Sequence, residues 1–143
     1  MKLAATFFAN QADMTDDHLQ VSGGMWDGLT ASRYPAAHDI VVVLMLRPEL
    51  KDVGESFHVD LDVTGPDGQS AGHDHMDVTL NQYKQQTAVV VRVKGSFAAS
   101  GRYSVRTTSK GLGSDEIFFQ VVGQGETPVA AAVEGYALGL NRG

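Results

Sequence analysis

The stretch SFHVDLDVT, residues 56–64, alternates without a break. Phe57, Val59, Leu61 and Val63 point one way, and His58, Asp60, Asp62 and Thr64 point the other. Successive side chains of a strand project to opposite faces, so the pattern fits a strand with one dry and one wet face and fits no helix. A turn follows at once in GPDG, residues 65–68, where Pro66 presets one dihedral and Gly68 tolerates positive φ.

The same period of two recurs along the chain. LAATFFAN (3–10), HLQVS (18–22), MWDGLT (25–30), TAVVVRVK (87–94), RYSVRTT (102–108) and DEIFFQVV (115–122) all read as strands. HDIVVVLMLR (38–47) is different, being apolar almost throughout. That is expected of a strand covered on both faces, and Pro48 ends it by removing a donor. Eight short strands separated by turn signals predict an all-β fold, an antiparallel β-sandwich of about eight strands spanning residues 1–122 as one domain. A chain of 143 residues with 43% hydrophobic content can build a core without a staple, and it has no cysteine with which to make a disulfide.

Residues 123–143 read as a C-terminal extension. GQGETP, residues 123–128, is linker-like, and VAAAVEGYALGL, residues 129–140, has the apolar spacing of a short helix. Gly135 and Gly139 weaken that helix by roughly 1 kcal/mol each. Val129, Val133, Tyr136, Leu138 and Leu140 give the segment an apolar face, the candidate partner-binding residues for a protein partner or for further copies of the chain.

A net charge of −6 argues against a non-specific nucleic-acid partner. The charge is unevenly placed, −9 over residues 1–77 and +3 over residues 78–143, a split able to orient subunits. The longest apolar run, residues 40–46, is too short to cross a bilayer, and the first residues lack a signal-peptide pattern. The expected setting is the cytoplasm or a virion, with no membrane partner.

QVSGGMWDGL, residues 20–29, carries the single tryptophan and two adjacent glycines. A phosphate loop would place such glycines between a strand and a helix start, with a Lys-Ser/Thr pair after them. Here the alternation resumes, so Gly23 and Gly24 read as a bend and Trp26 as a core anchor. With VDLDVTGPDGQ (59–69) and GRYSV (101–105), the segment HLQVSGGMWDGL (18–29) resembles an uncharacterised family of small bacterial and phage β-sandwich proteins, over residues 3–122. The resemblance implies the fold and a cytosolic or phage-borne setting. It implies no reaction, and no catalytic residue is carried over.

The densest set of candidate ligands is GHDHMD, residues 72–77. On an extended segment His73, His75 and Asp77 share a face, and His-x-His on a strand is a metal-binding geometry. Further ligands would come from His58, Asp60 or Asp62. The plainer reading is a polar loop beside a turn, and no cofactor is expected. A hydrolase is weaker still. No Gly-x-Ser-x-Gly occurs, and Ser22, Ser96, Ser100, Ser104, Ser109 and Ser114 have no evident His-Asp partner. Arg92, Lys94, Arg102 and Arg106 form a basic set, which would either pair with the acidic 56–64 strand or make a second outer face of opposite sign. The sequence therefore reads best as a non-enzymatic structural or interaction subunit of a larger assembly, with a phage capsid decoration or accessory virion protein as its sharpest form. The alternatives are a small-molecule or metal-binding module of a bacterial cytosolic protein and, last, a hydrolase.

Overall fold

The computed structural model describes residues 1–16 and 18–125. Among the described residues, ten strands follow in chain order: β1 Lys2–Ala9, β2 Gln11–Thr15, β3 His18–Ser22, β4 Gly28–Ala31, β5 Ala36–Arg47, β6 Ser56–Thr64, β7 Ser70–Thr79, β8 Thr87–Phe97, β9 Gly101–Ser109 and β10 Gly113–Gly123. A three-stranded sheet, β1-β5-β8, faces a five-stranded sheet, β4-β10-β9-β6-β7, and β2 and β3 form a separate hairpin. The all-β sandwich expected from the alternation is the fold.

The core lies between the two sheets. Ile40, Val42 and Leu44 of β5 meet Val59, Leu61 and Val63 of β6, with Val105 of β9 and Phe119 and Val121 of β10, all fully or nearly fully buried. Rings run through this layer in an unbroken series. Phe97 packs edge-on to Tyr103 with centroids 5.0 Å apart, Tyr103 stacks on Phe119 at 5.6 Å, Phe119 meets Phe8 edge-on at 5.3 Å, and Phe8 stacks on Trp26 at 4.7 Å. The Tyr103 hydroxyl donates to the Ala99 carbonyl at 2.7 Å and so ties down the turn between β8 and β9.

β5 is covered on its other face as well. Val41 and Val43 are buried with Ala9 and Ala12, and Leu19 and Val90 pack against them. The β2–β3 hairpin is the cover, which explains why residues 40–46 are apolar at every position.

Four details differ from the sequence expectation. Two strands were not foreseen. β2 is short, with a single buried residue. β7 carries glycine, aspartates and histidines of low strand propensity. The pairing of β4 with β10 is parallel, Gln120 to Gly123 against Gly28 to Ala31, in an otherwise antiparallel sheet. The strand expected over residues 25–30 begins only at Gly28. Before it, Gly23 and Met25 take positive φ of 61° and 64°, and the Met25 amide donates to the Phe8 carbonyl at 2.6 Å. This turn carries the chain back across β1 from the hairpin, and a Cβ on Gly23 would sit 2.2 Å from the Asn10 amide nitrogen. Fourth, Trp26 lies at the margin of the core, half-buried, where full burial was expected.

The two sides of the sandwich close differently. At one side β7 comes against β8 so tightly that a Cβ on Gly72 would lie 2.6 Å from the Lys94 carbonyl oxygen. At the other side β1 and β10 stand apart, bridged by a hydrogen bond from Thr6 to Asp115 and by the Met25-Trp26 segment. A short 3-10 turn, Leu50–Asp52, follows β5. Buried Asp52 accepts from the Glu49 amide at 2.7 Å and lies 2.7 Å from the Met1 amino group. Hydrogen bonding to that ammonium, and then to the Glu49 amide, holds its carboxyl below the usual aspartate range.

Candidate functional site

Two surface features stand out: the outer face of the five-stranded sheet and the open seam between β1 and β10.

β6 and β7 pair antiparallel, placing His58 opposite Asp77, Asp60 opposite His75 and Asp62 opposite His73. Each imidazole therefore faces a carboxylate across the strand pair. His58 Nδ1 is 2.8 Å from Asp77 Oδ1, and His73 Nδ1 is 2.7 Å from Asp62 Oδ1. The two Nε2 atoms face a single oxygen, Asp60 Oδ1, at 3.3 Å from His58 and 3.9 Å from His73. The ring of His75 lies 5.5 Å from that of His58 and 6.1 Å from that of His73. The hydrogen bond to Asp77 raises the pKa of His58 above its ordinary value; partial burial opposes this and the Asp60 charge adds to it.

The polar face continues across β9 and β10. Asp62 stands opposite Arg106, whose guanidinium is 3.4 Å from Glu116. Arg102 lies over the ring of Phe118, 4.0 Å from its centroid, a cation–π contact. The basic set is thus divided: Arg102 and Arg106 share the sheet of the acidic strand, while Arg92 and Lys94 lie on β8 in the other sheet. Opposite charges therefore meet within one face.

The anticipated ligands His73, His75 and Asp77 do project from one face of β7, but Asp77 is bonded to His58, and the point where imidazoles converge is Asp60. Among the described residues, no three His, Asp or Glu side chains already surround one point as metal ligands do. The Ser109 hydroxyl donates to the His58 backbone carbonyl at 2.6 Å, and that of Ser56 pairs with Thr79 at 2.8 Å.

The seam holds a groove of about 380 Å³, lined chiefly by Phe7, Phe8, Met25, Trp26, Ile117 and Phe118. Met25 is 79% exposed and Phe118 43%. The sequence reading passed over Phe118, although its signal was there: in DEIFFQVV two aromatic residues are adjacent, and on a strand one of them must face outward. Val129, Val133, Tyr136, Leu138 and Leu140, and the helix expected over residues 129–140, lie outside the described residues. No described helix is long and apolar enough to cross a membrane.

Residues 4–122 match DUF6941, a family of unknown function, and the chain belongs to that family. No curated protein matches it. Among solved structures it is similar to a glycosyl hydrolase family 2 member from Bacteroides cellulosilyticus, at 12% identity and a TM-score of 0.52, over 60% of this chain and 12% of that one. A second family 2 structure, from Bacteroides cellulosilyticus DSM 14838, gives 11% identity and a TM-score of 0.57 over 83% of this chain and 15% of that one. The chain thus spans a small part of the length of these enzymes, and the likeness is one of fold.

Proposed function

We propose that this member of DUF6941 is a non-enzymatic interaction subunit that associates head to tail, the apolar segment 129–140 of one copy seating in the β1/β10 groove of the next. The observation that carries this reading is the groove itself, an apolar opening at a sheet seam with Met25 and Phe118 left exposed at its mouth. Apolar surface gathered at one place is characteristic of an interface. The occupant follows from the chain's own composition, since residues 129–140 contain no charge except Glu134. Association of unlike surfaces builds rings or open filaments. A virion decoration protein, arrayed in many copies on a larger particle, is the sharpest form of this reading.

The test is the native mass of the full chain. The wild type is expected to be oligomeric at hundreds of micromolar, and Phe118→Glu and Val133→Glu each monomeric. Mixing the two variants restores one intact interface and yields a heterodimer. A monomeric wild type, or variants that keep the wild-type mass, would overturn the reading.

A further inference from the structure

β9 pairs with β10 from Gly113 to Val121, but on the other side of β10 the partner β4 covers only Gln120 to Gly123. Among the described residues, no strand lies on that side of Gly113 to Phe119. The Gln120 amide donates to the Asp27 carbonyl at 2.9 Å, so the backbone groups of Gln120 point out of this edge. Backbone groups along a strand turn to alternate sides, and those of Glu116 and Phe118 therefore point out of the same edge. The Glu116 amide is met by Asp115 Oδ1 at 2.9 Å. That leaves the Glu116 carbonyl and both backbone groups of Phe118 without a strand partner among the described residues. They open into the seam, where Glu116, Ile117 and Phe118 line the apolar groove together with Phe8 and Trp26. An apolar trough running along an open strand edge suits an added strand, with backbone bonds giving affinity and the trough taking alternate side chains.

We infer that the tail of a second copy enters this groove as a β-strand, residues 133–140 pairing with the open edge at Glu116–Phe118. The choice of occupant rests on the head-to-tail reading above, whereas the extended conformation rests on the edge and on the pattern of the tail. In VEGYALGL, Tyr136, Leu138 and Leu140 alternate with Gly135, Ala137 and Gly139. An extended chain puts the three large side chains on one face and the three small ones on the other. On a helix, Leu138 would stand on the side opposite Tyr136 and Leu140. Glycine at 135 and 139 disfavours a helix, and in a strand it lets a neighbouring backbone approach closely. The large face goes inward, toward Phe8 and the inward-facing Ile117. Val133 falls on the outer face, which it shares with the exposed ring of Phe118.

A charge scan of the tail in the full chain tests the mode, with self-association read by sedimentation equilibrium. Tyr136→Glu, Leu138→Glu and Leu140→Glu should each weaken association at least ~10-fold, and Ala137→Glu less than ~3-fold. NMR of the full chain gives a second readout. Backbone carbon shifts over residues 133–140 should be those of extended chain, and the Phe118 amide should exchange at least ~10-fold more slowly than in Leu138→Glu. Helical shifts, or a scan whose period is three to four, would overturn strand addition and leave head-to-tail association standing. A monomeric wild type that keeps the extended shifts and the protected Phe118 amide supports strand addition by the tail of the same copy and overturns head-to-tail association alone. A Phe118 amide that exchanges as fast in the wild type as in Leu138→Glu overturns strand addition in either arrangement.

Discussion

The middle of the outer face of the three-stranded sheet is apolar and covered, whereas the outer face of the five-stranded sheet is polar and open. Val41 and Val43 lie under the β2–β3 hairpin, while His58, Asp60 and Asp62 at the equivalent level of β6 meet water. The two strands face the same core through Ile40, Val42 and Leu44 on one side and Val59, Leu61 and Val63 on the other. The difference between them is therefore set by what lies behind each sheet. A face that is covered must be apolar, and a face left open is free to carry charge, which is where binding chemistry can be placed at little cost to the fold.

The sharpest way to break this contrast is to put a charge on each face. Val43→Asp places an unpaired carboxylate under the hairpin and should destabilise by about 4 kcal/mol or more, whereas Ser114→Asp on the open face should stay within about 0.5 kcal/mol, both read by urea denaturation. Next in size is the seam. Trp26→Ala removes a half-buried ring stacked on Phe8 and should cost about 2–3 kcal/mol in the same assay. The cover itself comes third. Leu19→Ala thins the contact between hairpin and sheet and should cost about 1–2 kcal/mol. Faster amide exchange along β5 should accompany that loss.

Smallest is the electrostatics of the open face. The folded state holds His58 above its ordinary pKa, so it binds the proton more tightly than the unfolded chain does. The resulting stabilisation is complete below the imidazole's unfolded pKa and is lost as pH rises through the folded one. In metal-free buffer the stability gap between wild type and Asp77→Asn should be wider on the acid side of that window and close on the alkaline side. A gap that does not change with pH would show that the His58–Asp77 contact does not govern the titration.

The alternation of residues 56–64 and the unbroken apolar run of 40–46 were legible because each is a direct imprint of burial. Periodicity records how many faces are covered, and so it conveyed both the sandwich and the double cover of β5. It does not record what does the covering, so the hairpin was missed: Gln11 to Thr15 buries only Ala12 and carries too little pattern to be seen. β7 was obscured for the opposite reason. It is an edge strand whose outer positions are His73, His75 and Asp77 and whose inner face carries Asp74, a residue type that discourages pairing with a further strand. The candidate ligands could be read from sequence as a group, but their true partners could not. The pairing of Asp77 with His58 and the focus on Asp60 depend on the register between β6 and β7, and a shift of two residues would have paired the same side chains differently.

The parallel pairing of β4 with β10 bears on the order in which the molecule assembles. β10 is the last described strand, yet it sits inside the larger sheet, with residues 28–31 from the first third of the chain on one side and β9 on the other. Until it is synthesised, β4 has no neighbour in that sheet and the core lacks Phe119 and Val121. Formation of the sandwich during translation must therefore wait for nearly the whole of residues 1–123 to leave the ribosome. Until then, Phe8 and Trp26 remain without one of their aromatic neighbours.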